Sequence, residues 1–171
     1  MIERCIVTTD DPAIAKVAAA YGAEVPFLRE RNLATDETKS SEVIIDTINR
    51  CKLEKSSHFI LLEPTSPYRT RKDFLDIYAA MKKSREGKAV SLTETKSENY
   101  AFQYILHSTG IMDKVHKKSE ANNTRRQDIN RTYYLNGTFY TAKIGNYLED
   151  PNFCTKATIG AKTSYYTNIE I

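Results

Sequence analysis

Apolar residues along the chain form short continuous runs that alternate with segments of helical spacing. The runs are rich in β-branched side chains, which is typical of buried strands. They predict five strands, at residues 4–9, 24–28, 59–62, 89–93 and 133–142. Between these runs, apolar side chains recur every three or four residues, as on one face of a helix. The stripes are Ile14, Val17, Ala18 and Tyr21, then Ile44, Ile48 and Cys51, then Phe74, Ile77, Tyr78 and Met81.

Residues that favour helix ends bound the three stripes. Side chains that cap helix N-termini, or proline that fits the first turn, precede each stripe. These signals are Asp11 with Pro12, Ser40 with Ser41, and Thr70 with Asp73. Gly22 follows the first stripe and is typical of a left-handed helix stop. The pattern therefore predicts three helices between the first four strands.

Alternating strands and helices predict an α/β fold, because a helix joins successive parallel strands and covers a face of their sheet. The chain of 171 residues has the size of one domain, so we expect a single domain over residues 1–171. From about residue 95 to 132 the apolar positions thin out. This segment is either a solvated surface excursion or a long insertion that closes over a ligand or a partner subunit. Asn136 and Gly137 interrupt the last strand and predict a turn or a close backbone approach.

Composition excludes several classes of protein. The balance of 25 basic against 22 acidic residues is too even to indicate nucleic-acid binding. No apolar run approaches the roughly 18 residues of a membrane helix, and no signal-peptide pattern is present, so we expect a cytoplasmic protein without a membrane partner. Three cysteines form no metal-binding or disulfide pattern and are expected to be buried thiols. The three histidines have no zinc spacing.

Polar loops follow the predicted strands, and ligands of open parallel sheets bind beyond the carboxyl ends of the strands. The loops to consider are residues 8–11, 29–41 and 63–69 and the segment after residue 93. The helix that starts at Ser40 and Ser41 offers unpaired backbone amides for polar groups of a ligand. Arg29 and Arg69, each considered alone, are expected to be surface ion-pair residues.

Taken together, these segments resemble the acylneuraminate cytidylyltransferases, also called CMP-sialic acid synthetases. The similarity extends over nearly the whole chain, with the order and spacing of the motifs preserved. The matching segments are residues 7–11 (VTTDD), 21–29 (YGAEVPFLR), 33–36 (LATD), 61–70 (LLEPTSPYRT), 125–128 (RRQD) and 136–137 (NG). Synthetases for legionaminic, pseudaminic and Kdo sugars share parts of this pattern.

The resemblance implies a Rossmann-like, three-layer nucleotidyltransferase fold with a mainly parallel sheet and a dimerisation insertion. It also implies transfer of a cytidylyl group from CTP to a sialic-acid-type α-keto sugar, with Mg²⁺ as cofactor and a homodimer as the assembly. A planar arginine suits a sugar carboxylate, because its two parallel N–H groups fix orientation as well as charge. Aromatic walls such as Tyr140 and Phe153 suit the acyl group.

The resemblance further implies roles for individual residues. The nucleotide end of the pocket would be formed by Arg29, Ser40 and Ser41. The sugar end would contain Glu63, Arg126, Gln127, Asn136 and Tyr140, with Arg126 and Gln127 reaching a partner subunit's pocket. Glu63 stands where many members have glutamine, and Glu170 would be a metal ligand. No catalytic residue is identified.

Two motifs of the family are missing from this sequence. Members carry a basic, glycine-rich phosphate loop of the form ARxGSKxxxxKN, and a second acidic metal ligand follows the position of Glu170. We expect this polypeptide alone to be weakly active or inactive, since the loss of one preorganised contact costs about 10²–10³ in rate. Two alternatives stay open: a non-catalytic homologue that dimerises or binds ligand, and a cytidylyltransferase for a related sugar such as legionaminic or pseudaminic acid.

Overall fold

The computed structural model describes residues 2–95, 99–115 and 129–163. The helices are α1 (Pro12–Ala20), α2 (Ser40–Arg50), α3 (Arg71–Lys83) and α4 (Ile144–Glu149). The strands are β1 (His58–Leu61), β2 (Ala89–Glu94), β3 (Tyr104–Leu106), β4 (Met112–Lys114), β5 (Tyr133–Lys143) and β6 (Ile159–Lys162).

The chain divides into two compact units. Unit 1 consists of Met1–Phe59 and Lys143–Asn152, and unit 2 consists of Ile60–Ala142 and Phe153–Ile171. The prediction of one domain over residues 1–171 stays a prediction. Each unit is described by itself below.

The predicted helix starts in unit 1 are confirmed. Asp11 is the N-cap of α1, and its Oδ1 accepts hydrogen bonds from the backbone N–H groups of Ala13 and Ile14, at 2.6 and 3.3 Å. Gly22 has φ of +88°, as a left-handed helix stop requires. The second helix begins at Ser40, and it buries Ile44 and Ile48 as the apolar spacing predicts.

Aromatic packing anchors α4 within unit 1. Tyr147 is buried and meets Phe59 edge to face, with ring centroids 5.1 Å apart. Burial raises the pKa of Tyr147 to about 12, because the phenolate would lose its hydration. The first two amides of α4 donate to carbonyls of the loop that precedes β1, Ile144 N to Ser57 O and Gly145 N to Lys55 O, both at 2.9 Å.

The prediction of regular strands at residues 4–9 and 24–28 is wrong. Residues 4–9 and 24–28 form only one parallel bridge, between Ile6 and Glu24. Their backbone hydrogen bonds include Glu24 N to Cys5 O at 2.7 Å and Val7 N to Glu24 O at 2.9 Å. Pro26 has no N–H to donate, so the ladder cannot continue through the middle of the second segment.

Unit 2 contains a mixed sheet. The strand order is β1-β5-β2-β6. β2 pairs with β6 in parallel, in agreement with the expected parallel sheet. β2 and β5 are antiparallel, so the expectation does not hold for this pair, because β5 returns alongside β2 in the opposite direction after the long insertion. The α/β class itself is confirmed.

The core of unit 2 lies between α3 and the sheet. Its buried members are Ile77, Ala80, Met81, Ala89, Phe139 and Ala161. The Phe74 and Phe139 rings meet edge to face at 4.8 Å. The expected capping box of α3 is present, since Asp73 accepts from Thr70 N and Thr70 Oγ1 accepts from Asp73 N. The spacing predicts Tyr78 on the buried face of α3, but it is exposed and Ala80 is buried instead. Position 80 follows Ile77 by three residues, which places it on the same face of the helix.

The long insertion contains an antiparallel hairpin of β3 and β4. Its apolar side chains are mostly exposed: Tyr104, Ile105, Leu106, Ile111, Met112 and Val115 are all on the surface. His107 and Asp113 form an exposed ion pair across the hairpin, at 2.9 Å. Residues 96–98 and 116–128 of the insertion lie outside the described residues.

Two further expectations can be compared with the structure. Cys5 and Cys154 are exposed and Cys51 is half-buried, so the prediction of buried thiols is wrong for the first two. The run that carries Cys5 has no sheet neighbour beyond one bridge, so little covers it. In the described part of the chain, every helix is too short or too polar to cross a membrane.

The capping box provides a test of α3. We expect Asp73→Ala to lower the free energy of unfolding by about 1–2 kcal/mol, because it removes the acceptor for two Thr70 donors. Asp76→Ala on the same helix removes a surface partner of Lys72 and should cost about 0.5 kcal/mol or less. Urea unfolding followed by circular dichroism measures both. Equal losses would contradict a structural role for the cap.

Candidate functional site

Arg29 in unit 1 is held beside the loop that precedes α1. Its backbone N–H donates to Thr9 O at 2.8 Å, and its Nη2 lies 3.4 Å from Asp10 Oδ1. The guanidinium is 23% exposed. The expectation that Arg29 forms an ion pair is confirmed. At 3.4 Å from a half-exposed carboxylate the pair is weak, so the guanidinium keeps hydrogen-bonding capacity for a ligand.

Three buried polar side-chain atoms have no hydrogen-bond partner among the described residues. They are Thr8 Oγ1, Arg29 Nε and Ser66 Oγ. Each costs about 1–3 kcal/mol, so such atoms are rare in folded proteins and each needs an explanation. All three belong to the loops that the sequence indicates as ligand loops, residues 8–11, 29–41 and 63–69. Thr8 and Arg29 belong to unit 1 and Ser66 to unit 2, so each unit by itself keeps buried hydrogen-bonding capacity in a predicted ligand loop.

The start of α2 leaves backbone amides available. Ser40 is the first helical residue, and Lys39 at the N-cap makes no side-chain hydrogen bond to the helix. The side chains of Ser40 and Ser41 lie in the first turn, where the helix dipole favours negative charge. Amides and hydroxyls together form a surface suited to polar or anionic groups.

Arg69 in unit 2 is not a surface ion-pair residue as expected, because its guanidinium hydrogen-bonds two backbone carbonyls. Its Nη2 donates to Glu63 O at 2.6 Å and its Nε to Thr138 O at 3.0 Å. The guanidinium also lies 5.6 Å from the centre of the Phe139 ring. Burial lowers the pKa of Arg69, and the negative charge of Glu63 opposes that shift. The loop of residues 63–69 is therefore held against β5.

Asn136 lies in a buried network at the carboxyl ends of β2 and β6. Its Oδ1 accepts from Ser91 Oγ and from Thr138 N, the latter at 3.2 Å. Its Nδ2 donates to Thr93 Oγ1 at 2.9 Å and to Thr163 Oγ1 at 2.7 Å. Both donors and the acceptor of the carboxamide are used within unit 2.

The Asn136 network occupies a β-bulge. Opposite Ser91, the pairing jumps from Val90–Tyr140 to Leu92–Leu135. Gly137 has φ of +71°, which few residues other than glycine adopt. Ser91 Oγ replaces the lost ladder partner, since it accepts from Phe139 N at 2.8 Å. The sequence predicts a turn or a close backbone approach at Asn136 and Gly137, and the structure has a β-bulge at this point, with Gly137 in the left-handed region.

The aromatic residues expected at the sugar end are neighbours. The rings of Tyr140 and Phe153 have centroids 5.2 Å apart and are tilted by 39°. Tyr140 is half-buried in β5. Such a pair offers a flat apolar surface for an acyl or methyl group.

The remaining predicted site residues lie outside the described part of the chain. They are Arg126, Gln127 and Glu170. Within the described residues, no three histidine, cysteine or acidic side chains come close enough to hold a metal ion. The described donor set therefore does not fit Mg²⁺ by itself.

Sequence reasoning missed the residues that support the site. Ser91, Thr93 and Thr163 hold Asn136, and Arg69 holds the loop of Glu63. The sequence hints at this network only through the hydroxyl residues Ser91 and Thr93 inside the apolar strand 89–93. The two prolines that precede Arg69 indicate a rigid loop, but they do not indicate its partners.

Comparison with known proteins supports a relationship to nonulosonic-acid enzymes. The chain is 30% identical over 163 residues to CMP-N,N'-diacetyllegionaminic acid synthase of Legionella pneumophila, which covers 91% of this chain and 66% of the relative. It is 25% identical over 154 residues to pseudaminic acid cytidylyltransferase of Campylobacter jejuni, 88% of this chain and 64% of the relative. It is 26% identical over 155 residues to N-acylneuraminate cytidylyltransferase of Streptococcus agalactiae, 89% of this chain and 35% of the relative. No protein-family model matches the chain.

The resemblance indicated by the motifs is thus confirmed. The chain is a homologue of the acylneuraminate-type cytidylyltransferases, a group of nucleotidyltransferases. It spans about two thirds of the length of the bacterial legionaminic and pseudaminic acid enzymes, at 64 to 67%.

The Asn136 network is open to a direct test. We expect Asn136→Leu to lower the free energy of unfolding by at least about 2 kcal/mol, because Ser91, Thr93 and Thr163 lose a buried partner. Asn49→Leu, at an exposed position of α2, should change it by about 0.5 kcal/mol or less. Chemical unfolding measures both variants. A loss for Asn136→Leu no larger than for Asn49→Leu would show that the network is unimportant for stability.

Proposed function

We propose that the protein transfers a cytidylyl group from CTP to a sialic-acid-type α-keto sugar in the cytoplasm. The observation that carries this proposal is the similarity, over about nine tenths of the chain, to cytidylyltransferases for three such sugars. In the reaction, a sugar hydroxyl oxygen forms a bond to the α-phosphorus of CTP. The bond from that phosphorus to the β-phosphate bridging oxygen breaks, pyrophosphate leaves, and the hydroxyl proton is released to solvent. The full fold would be Rossmann-like and three-layered.

The nucleotide end of the proposed site is in unit 1. Arg29 offers a guanidinium with a buried, unpartnered Nε, and Thr8 offers an unpartnered hydroxyl. Ser40 and Ser41 add the free amides at the start of α2. These groups suit the carbonyl and hydroxyl oxygens of cytosine and ribose, all of which accept hydrogen bonds. Their contribution is binding and orientation, which is most of what phosphoryl transfer needs from protein.

The sugar end of the proposed site is in unit 2. Glu63 supplies a carboxylate, the ring of Tyr140 supplies an apolar wall with Phe153, and Asn136 sets the backbone of β5 behind them. Arg126 and Gln127 would reach from the insertion towards the sugar carboxylate of a partner subunit. A guanidinium favours that anion because two parallel N–H bonds fix its orientation.

Mg²⁺ with Glu170 as a ligand is also part of the proposal. When bound, the ion would neutralise phosphate charge during displacement. Because the described residues contain no metal-holding group, no step is assigned to it. Glu170→Gln, compared with the unchanged protein across a Mg²⁺ titration, tests the assignment.

A related sugar is a specific form of the same proposal. The relatives named for diacetyllegionaminic and pseudaminic acids match at 25 to 30% identity and are covered to 64 to 66% of their length. Glu63 is the residue that we expect to distinguish among such sugars, since a carboxylate accepts hydrogen bonds and cannot donate them when ionised.

The exposed hairpin supports a homodimer. Ile105, Leu106, Ile111 and Met112 are each more than half exposed, and contiguous apolar surface of this kind is typical of an interaction site. A second copy of the chain would cover it, and that arrangement would place the insertion next to a neighbouring pocket. The dimerisation role of the insertion is part of this proposal.

The function is tested by mixing the protein with CTP, Mg²⁺ and N-acetylneuraminic, N,N'-diacetyllegionaminic or pseudaminic acid. Slow formation of the CMP-sugar, with an equal amount of pyrophosphate, is the expected result for one of the sugars, because the phosphate-loop motif of the family is missing from this sequence. Pyrophosphate without CMP-sugar would indicate hydrolysis and contradict transfer. Binding of CMP and sugar without any product would favour the non-catalytic alternative.

Arg29 is tested by the affinity for CMP. We expect Arg29→Gln to raise the dissociation constant about 10- to 100-fold, because it removes a charged donor from a partly buried position. Arg31→Gln, two residues along the chain and exposed, should have no effect. Isothermal titration calorimetry measures both, and equal affinities for the two variants would remove Arg29 from the nucleotide site.

The hairpin is tested by the oligomeric state. We expect Leu106→Asp to convert a dimer into a monomer, since it would place a charge inside an apolar contact. Leu75→Asp, on the exposed face of α3, is the matched control and should leave the dimer intact. Sedimentation velocity measures both. A monomeric unchanged protein, or a Leu106→Asp variant that stays dimeric, would be evidence against this surface.

A further inference from the structure

Arg69 joins two parts of unit 2 that are distant in sequence. Its planar guanidinium donates to the carbonyl of Glu63, six residues away, and to the carbonyl of Thr138, 69 residues away. The distances, 2.6 and 3.0 Å, are those of full hydrogen bonds. One side chain therefore sets the separation between the loop after β1 and the bulge of β5.

The connection continues into the Asn136 network. The N–H of Thr138, whose carbonyl Arg69 binds, donates to Asn136 Oδ1 at 3.2 Å. Asn136 in turn binds Thr93 and Thr163 at the carboxyl ends of β2 and β6. An unbroken series of hydrogen bonds thus runs from the backbone of Glu63 to the ends of two neighbouring strands.

The main chain of Glu63 is held twice, whereas its carboxylate is not. Its carbonyl accepts from Arg69 Nη2 and from Ser66 N, the latter at 3.2 Å. Among the described residues the carboxylate has no hydrogen-bond partner, although it lies within the electrostatic reach of Arg69. The carboxylate is therefore anchored at its backbone end and keeps its oxygens available to accept hydrogen bonds from a ligand.

We propose that Arg69 is a positioning residue that fixes Glu63 to accept hydrogen bonds from a hydroxyl or acylamino N–H of the sugar. The proposal rests on the proposed function and assigns to Arg69 a role in sugar specificity. The positive charge of Arg69 also offsets the repulsion that the Glu63 carboxylate would exert on the carboxylate of an α-keto acid sugar. Arginine is required because its fork carries two donors at a fixed separation, which a lysine ammonium cannot reproduce.

The experiment combines two substitutions in a double-mutant cycle. The variants are Arg69→Lys, Arg69→Gln, Glu63→Gln and each Arg69 change combined with Glu63→Gln, with Arg71→Lys as the matched control at an exposed position. Dissociation constants are measured for N,N'-diacetyllegionaminic acid, N-acetylneuraminic acid and CMP. Hydrogen exchange of residues 63–70 is followed in the same proteins. Two different substitutions of Arg69 are made because one of them can fail to fold. The cycle can then be completed with the variant that folds.

The expected result has three parts. Arg69→Lys speeds exchange in residues 63–70 and weakens binding of the preferred sugar about 10-fold, the equivalent of one good hydrogen bond, while CMP affinity is unchanged. Glu63→Gln weakens sugar binding without faster exchange. The double variant binds sugar no more weakly than Glu63→Gln alone, because Arg69 acts through Glu63. Arg71→Lys changes nothing.

Other outcomes overturn the proposal in distinguishable ways. Unchanged exchange in both Arg69 variants would show that Arg69 does not hold the loop. Additive losses in the double variant would show that Arg69 acts independently of Glu63, and a parallel loss of CMP affinity would indicate a general structural role. If the unchanged protein bound neither sugar, the proposed function would fail first, and the sugar role of Arg69 with it.

Discussion

The unit 2 sheet depends on how it satisfies the polar backbone where β5 departs from β2. Between Val90 and Leu92 the ladder loses its register, and the backbone groups of the bulge lie in a buried environment. Unpaired groups there would cost about 1–3 kcal/mol each. Ser91 and Asn136 supply the missing partners, and Gly137 supplies the positive φ that the bulge needs. Specific side chains therefore stabilise the bulge, and it is not a defect of the strand.

That constraint also shapes the candidate site. The bulge lies opposite Ser91 in the middle of β2, and from it the side chain of Asn136 reaches Thr93 and Thr163 near the carboxyl ends of β2 and β6. That edge is where α/β sheets bind ligands. Through Thr138 and Arg69 the same hydrogen bonds reach the loop of Glu63. The interactions that support the sheet therefore also support this loop, and the residues that provide them are mostly neutral hydroxyl and amide groups.

Buried polar atoms without hydrogen-bond partners also occur in the predicted ligand loops of the described residues. Thr8 and Arg29 in unit 1, and Ser66 in unit 2, keep buried capacity for hydrogen bonds in loops that precede or follow regular elements. A core without ligands would gain stability by removing such atoms. Their presence in these loops leaves donors and acceptors available for polar groups of a ligand.

Local sequence alone determined α1, α2 and α3, because their signals are short-range: Asp11 caps α1, Ser40 opens α2, and Thr70 with Asp73 caps α3. The short helix α4 was not predicted. It also determined the family, since the motifs keep their order and spacing. Strand partners were decided only by the tertiary structure. Residues 4–9 look like a strand but make one bridge, and β5 runs antiparallel to β2, because pairing depends on segments far apart in the chain. The role of Arg69 was hidden for the same reason: its second partner, Thr138, is brought to it only when β5 folds.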